Sequence, residues 1–316
     1  MSKHHPNILV YHHEADTYAN FLREHGYTSI QTASSIEEAL SHLQGTEVIL
    51  GWKFPTALLT RPEASSVRWI QSTGAGINDL VSDPGVPESI TITRIKDQFG
   101  GLISEYVFAF LLYITKGLPN MLEAQKRSHW DPFKVDTLNN KIIGVAGLGS
   151  IGSEVVRKAR AFDMKVHGLS FNGANAELVD EHYTAEEWSL FVKDLDYLVL
   201  TLPLTPATQY AVNKDILSLM KPEAALVNVG RGQLIAEADL VEVMREGRLQ
   251  AAILDVFEQE PLDPEHPFWS LPNVFVTPHL SGQSHAADVG RFFLNNIRLY
   301  EQGERLLGIV NRERGY

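Results

Sequence analysis

The chain has 316 residues, enough for two domains of ordinary size, each with its own buried core. Its 27 basic side chains stand against 39 acidic ones, a net charge of −12 with no basic stripe, which disfavours nucleic acid and anionic membrane as partners. There is no cysteine, so disulfides, thiolate metal sites and cysteine nucleophiles are excluded together.

The opening residues, MSKHHPNILVYHH, hold no apolar stretch long enough for a secretion signal. The best internal run, Val107 to Thr115, is about half a membrane span, so a soluble, cytoplasmic protein is expected. His4, His5, His12 and His13 are adjacent pairs in a tail without supporting carboxylates and read as solvated side chains, with no metal.

Short apolar runs ILVY (8–11), VIL (48–50), VRWI (67–70) and SITIT (89–93) read as strands, with helices near Thr17 to His25 and Ser35 to Leu43. The alternation predicts a small parallel α/β unit. Its strand VRWIQS runs into Thr73, Gly74, Ala75 and Gly76, where glycines at a carboxyl end expose backbone N–H groups to an anion. An ordinary turn is the simpler local reading. Trp52, in the loop GWKFP, either lines a pocket or packs in a core.

Gly100 to Pro119 is apolar nearly all round, the profile of a helix buried on several sides at a domain or subunit junction. Asp131 to Asn140, polar and turn-rich, marks entry to a second unit.

That unit is organised around KIIGVAGLGSIG, Lys141 to Gly152. An apolar strand runs directly into Gly147, Gly149 and Gly152, and Val155, Val156, Ala159 and Phe162 follow at helical spacing. Gly147 permits a tight turn, Gly149 lets a pyrophosphate approach the backbone, and Gly152 lets helix and strand pack closely. Ser150 and Ile151 complete the cofactor-binding turn.

In a dinucleotide site an acid about 20 residues further on bonds the adenosine ribose. Ser170 stands there, with no acid between Met164 and Ala176, which removes the charge that would repel a 2′-phosphate. NADP(H) is therefore the preferred cofactor, with NAD(H) as the alternative, since no arginine stands beside Ser170 to clamp a phosphate.

KVHGL (165–169), DYLVLTL (196–202), ALVNVG (225–230), AAILDVF (251–257) and VFVTP (274–278) bring the unit to six strands. Helices around Ala185 to Val192, Lys214 to Met220 and Glu237 to Glu246 separate them, the pattern of a doubly wound parallel sheet. The segment Ser284 to Gln302 is helical by pattern, with Val289, Phe292, Phe293, Ile297 and Tyr300 on one side, and is expected to cross back to the first domain.

Three strand ends carry Arg231, Glu260 and His279 toward one edge of that sheet. Each alone is an ordinary loop cation, solvated acid or polar flank. Together with GLGSIG, PLTPAT (203–208), NVGRG (228–232), DVFEQEPL (255–262) and TPHLSG (277–282), they make the chain resemble the D-isomer-specific 2-hydroxyacid dehydrogenases over nearly its whole length.

The resemblance implies an α/β fold of two domains. A doubly wound, Rossmann-type coenzyme domain (100–282) is inserted into a smaller, flavodoxin-like substrate domain (1–99 and 283–316). It implies that His279 gives a proton to a 2-oxo acid, that Glu260 favours the charged imidazole, and that Arg231 holds the substrate carboxylate.

It also assigns Gly74, Ala75 and Gly76 to the substrate carboxylate, Thr208 to the cofactor phosphates and Asp255 to the nicotinamide carboxamide; Asp255 equally suits an acid that caps backbone. It further implies a small 2-oxo or 2-hydroxy acid as the partner and a homodimer with the helix near Gly101 to Leu118 at the junction.

Trp52, Ser170 and the ending GIVNRERGY are similar to the glyoxylate/hydroxypyruvate reductase subgroup, which generally uses NADPH. Phe171 and Asn172 follow Ser170 where that subgroup usually places arginine. A phosphoglycerate-type dehydrogenase using NAD and a dinucleotide-sensing regulator are the alternatives. No GxSxG elbow supports an esterase.

Overall fold

The computed structural model describes residues 5–312 apart from 75, 78, 79, 82, 172 and 284. The chain divides into two units, Met1–Gln98 with Ser284–Tyr316, and Phe99–Gln283.

The first unit is built on β1 (Ile8–Tyr11), β2 (Ile30–Ala33), β3 (Val48–Gly51), β4 (Trp69–Ser72) and β5 (Thr91–Thr93). They form one parallel sheet in the order β2-β1-β3-β4-β5, the flavodoxin-like order. β1, β3 and β4 are buried almost throughout, which is why their apolar runs are legible. β2, with the sequence IQTA, is a strand that the sequence pattern does not predict; its middle residues are exposed or half-buried, so it shows no continuous apolar run.

Helix α1 (Ala15–Glu24) buries Ala15, Tyr18, Ala19 and Leu22. Helix α2 (Ile36–His42) begins where the Ser35 hydroxyl accepts the Glu38 N–H at 3.2 Å. The last helix, Ala286–Gln302, belongs to this unit, and its Phe293 and Tyr300 rings stack on Trp69 at 5.2 and 5.4 Å.

The second unit contains a seven-stranded parallel sheet of β6 (Ile142–Ala146), β7 (Lys165–Leu169), β8 (Glu181–Tyr183), β9 (Tyr197–Leu200), β10 (Ala225–Asn228), β11 (Ala251–Leu254) and β12 (Val274–Val276). Its order, β12-β11-β10-β9-β6-β7-β8, reverses direction at β6, as in the Rossmann arrangement. β8 is one strand more than the sequence pattern predicts. A three-residue polar strand, EHY, at the sheet edge carries no apolar signature.

The long apolar segment forms its helix and ends at Gly117, and a further helix that the sequence pattern does not predict follows it. Helix α3 (Gly100–Thr115) stops before Gly117, whose φ of +61° turns the chain into helix α4 (Leu118–Lys126). α3 packs on helix α5 (Ser150–Ala161), close enough that a Cβ on Gly100 would lie 3.1 Å from the Glu154 Cβ. No single helix among the described residues is long and apolar enough to cross a membrane.

Candidate active site

The glycine loop sits between β6 and α5, and each glycine meets a different constraint. Gly147 has a φ of +100°, which only glycine adopts without strain. A Cβ on Gly152 would lie 1.9 Å from the Gly147 carbonyl oxygen, so helix and loop touch backbone to backbone. A Cβ on Gly149 would meet nothing within 4 Å, and Gly149 and Ser150 are exposed at the N-terminus of α5. Ile151 is half-buried behind them.

Thr201 donates to the Gly147 carbonyl at 2.7 Å, and the Gly147 N–H donates to Leu169 O at 2.8 Å, so the loop is held from both flanking strands. An open backbone surface at the start of a 12-residue helix suits a pyrophosphate.

Ser170 follows β7 and is buried, with its backbone N–H donated to Tyr183 O at 3.1 Å. Its hydroxyl lies 2.7 Å from His182 Nε2. His182 is on β8, the strand that the sequence pattern does not show, so this partner is missed with it.

Thr208, which the resemblance assigns to the cofactor phosphates, lies in the turn after β9. Its hydroxyl accepts the Thr205 N–H at 2.8 Å and lies 2.7 Å from Pro203 O, and the residue is buried. It closes the turn of PLTPAT on itself.

Arg231, Glu260 and His279 all follow carboxyl ends of neighbouring strands, β10, β11 and β12. Asn228 fixes the first of these loops, donating to Arg231 O at 2.9 Å and accepting the Gly230 N–H at 3.1 Å. Arg231 donates to Gly230 O at 2.6 Å. A Cβ on Gly232 would lie 1.9 Å from the Phe257 carbonyl carbon, so only glycine lets this loop lie on the backbone leading to Glu260.

His279 Nδ1 lies 2.9 and 3.1 Å from the two Glu260 carboxylate oxygens. A carboxylate only accepts, so Nδ1 carries a proton and the ring is oriented by it. The imidazole is about two-fifths exposed and Glu260 about one-quarter.

Of the two roles that suit Asp255, the geometry fits the capping one. Its carboxylate is fully buried and accepts the Thr277 hydroxyl at 2.6 Å, the Leu280 N–H at 2.9 Å and the Ser281 N–H at 2.9 Å. The His279 N–H donates to Asp255 O at 2.9 Å, and His279 itself has a φ of +50°. Tyr106 on α3 completes the chain with its hydroxyl 2.6 Å from Thr277 Oγ1; since Thr277 donates to Asp255, Tyr106 donates to Thr277. Burial pushes the Tyr106 phenol well above its ordinary range, opposed by the Thr277 bond and reinforced by Asp255. Thr277 stands inside a motif the sequence displays, whereas Tyr106 gives no signal beyond its place in an apolar helix.

In the first unit, Trp52 is half-buried and lies directly on Gly74, where a Cβ would come within 1.9 Å of the indole. The Gly74 N–H donates to Ser72 Oγ at 3.2 Å; Gly76 is half-buried, and Ala75 lies outside the described residues, as does His4. The second histidine pair is not a tail: His12 and His13 directly follow β1 and stack at 4.2 Å, with Glu14 within ligand reach of both. His12 Nδ1 accepts the Glu14 N–H at 3.0 Å, and burial lowers the His12 pKa, with His13 adding to the shift and Glu14 opposing it.

Residues 108–281 match the model of the D-isomer specific 2-hydroxyacid dehydrogenase NAD binding domain, more than half of the chain. The chain belongs to the D-isomer specific 2-hydroxyacid dehydrogenase family.

The resemblance read from the motifs and the fold expected from it are therefore shown, and the protein is an oxidoreductase of this family with an NAD(P)-binding domain. A family member from Aeromonas salmonicida is 31% identical, covering 98% of this chain and 100% of that one, with a TM-score of 0.91. The NADPH-dependent glyoxylate/hydroxypyruvate reductase of Sinorhizobium meliloti, solved with NADP and sulfate, is 27% identical, covering 98% of this chain and 99% of that one, with a TM-score of 0.88. D-3-phosphoglycerate dehydrogenase of Methanocaldococcus jannaschii is 30% identical over 92% of this chain, which spans 56% of that relative's length.

Proposed function

We propose that the protein reduces small 2-oxo acids, with glyoxylate and hydroxypyruvate as substrates, to D-2-hydroxy acids using NADPH in preference to NADH. The observation that carries this reading is the His279–Glu260 pair, 2.9 Å apart on the same carboxyl edge as the glycine loop. With Nδ1–H directed at Glu260, Nε2 is the ring nitrogen left to face a substrate, the atom that would protonate a carbonyl oxygen when it carries a proton. Arg231 offers a planar fork of donors suited to the substrate carboxylate and to polarising the adjacent carbonyl.

The glycine loop would hold the pyrophosphate of the bound dinucleotide, which supplies hydride to the carbonyl carbon. Ser170, in place of an acid, leaves a 2′-phosphate unopposed. Trp52, Gly74, Ala75 and Gly76 are proposed for the substrate, on the family resemblance. The S. meliloti reductase supports both the substrate class and the coenzyme.

The test is the initial rate of NADPH and, separately, NADH oxidation with glyoxylate, hydroxypyruvate and pyruvate. Faster NADPH oxidation with glyoxylate or hydroxypyruvate is expected. Activity with NADH alone would overturn the coenzyme preference. A clear preference for oxidising 3-phosphoglycerate would replace the substrate class, and no turnover with any 2-oxo acid would favour a binding role.

We also propose a homodimer. Among the exposed apolar side chains of the described residues, six follow α3 in one segment: Leu118, Met121 and Leu122 of α4, then Trp130, Phe133 and Val135, with Trp130 93% exposed. Such a run of apolar side chains in one short segment marks a protein contact. Light scattering after gel filtration should give twice the chain mass, falling to one chain in Leu122→Glu/Trp130→Ser; a wild-type monomer would remove the proposal.

A further inference from the structure

The segment that follows β7, SFNGANA (170–176), contains no lysine or arginine to meet a 2′-phosphate. Lys165 opens β7, four residues before its end, and Phe171 rather than arginine follows Ser170. Strand pairing brings a different side chain to the place. Gly168 and Leu169 of β7 pair with His182 and Tyr183 of β8, and the bond from the Ser170 N–H to Tyr183 O carries that pairing one residue further. His182 Nε2 then lies 2.7 Å from the Ser170 hydroxyl, which also stands 3.5 Å from Ala174 O.

We propose that His182 is a specificity-determining residue of the adenosine-ribose subsite, acting through Ser170 to favour a 2′-phosphorylated dinucleotide; this rests on the dinucleotide reading above. A serine hydroxyl has one hydrogen. If it is given to the imidazole, Ser170 offers only lone pairs, which suit the hydroxyl hydrogen of an unphosphorylated ribose. If Nε2–H is the donor, Ser170 keeps its hydrogen for a phosphate oxygen, and a doubly protonated ring adds a positive charge behind that bond. A phosphate selects the second arrangement.

The acids flanking His182 are committed to other groups. Asp180 accepts from Arg160 at 2.7 Å and from the Val166 N–H at 2.7 Å, and Glu181 accepts from the Tyr183 hydroxyl at 2.6 Å. Glu187 caps its own turn through the Thr184 N–H at 2.8 Å and hydroxyl at 3.0 Å. Those two bonds hold the Glu187 carboxyl below its ordinary range. No acid in Met164 to Ala176 competes for the ring from the β7 side.

The experiment is titration of wild type, His182→Phe and His182→Gln with NADPH and, separately, with NADH, following nucleotide fluorescence without substrate. His182→Phe should lower the NADPH-to-NADH affinity ratio about tenfold, with NADH affinity held within about twofold. His182→Gln, a neutral donor able to reach Ser170, should recover part of the ratio. An unchanged ratio in both variants, or equal weakening for both nucleotides, would overturn the role of His182 while leaving the dinucleotide site standing. Wild type that binds neither nucleotide would overturn the site itself and this inference with it.

Discussion

His279→Ala should lower turnover by about 10²–10⁴-fold while the dissociation constants for NADPH and NADH stay within about twofold of wild type. The expectation follows from separate placement. The dinucleotide loop is at the end of β6, whereas His279 follows β12 at the far edge of the same sheet order and is braced by Glu260. Removing the imidazole deletes the proposed proton donor and leaves the glycine loop untouched. Arg231→Ala provides the contrast, since a group that binds substrate should raise the Michaelis constant as well as lower turnover, and lysine there should restore little of a two-point contact. Steady-state kinetics of the variants beside nucleotide titrations make the check, and wild-type turnover in His279→Ala would sink the proton-donor assignment.

How much of this is legible in the sequence depends on whether a residue's role is local. The glycines are readable because each constraint acts within a few residues of the loop: the φ of +100° at Gly147 and the 1.9 Å approach at Gly152 belong to one strand–turn–helix. That Arg231, Glu260 and His279 share one edge is readable because three parallel strands must end there, while their roles come only from the family resemblance. β2 and β8 are not readable, being short and only partly buried, so neither carries an apolar run. With β8 goes His182, whose contact with Ser170 exists only through strand pairing. Thr208 stands inside a recognisable motif, but the bonds by which its hydroxyl ties that motif's own turn together are visible only in the structure.

Asp255 is the residue at which a capping role and a nicotinamide role predict different measurements. Its carboxylate has one oxygen on the Thr277 hydroxyl and the Leu280 N–H and the other on the Ser281 N–H, and it has no exposed surface. These bonds hold the turn in which His279 keeps its φ of +50°, a conformation that costs a residue with a Cβ about 1–2 kcal/mol. Asn at this position can reproduce the first oxygen but sets an N–H₂ against the Ser281 N–H, stranding a buried donor and losing charge-assisted bonds.

Asp255→Asn should therefore cost about 2–4 kcal/mol of stability and slow turnover through misplacement of His279, with NADPH affinity nearly unchanged. Thr277→Val, which removes one donor and leaves the charge, should show the same pattern more weakly. Thermal midpoints and nucleotide titrations on the same preparations decide it. A variant with a wild-type midpoint but weakened dinucleotide binding would return Asp255 to the nicotinamide carboxamide, and the turn at His279 would then need another explanation for its left-handed backbone.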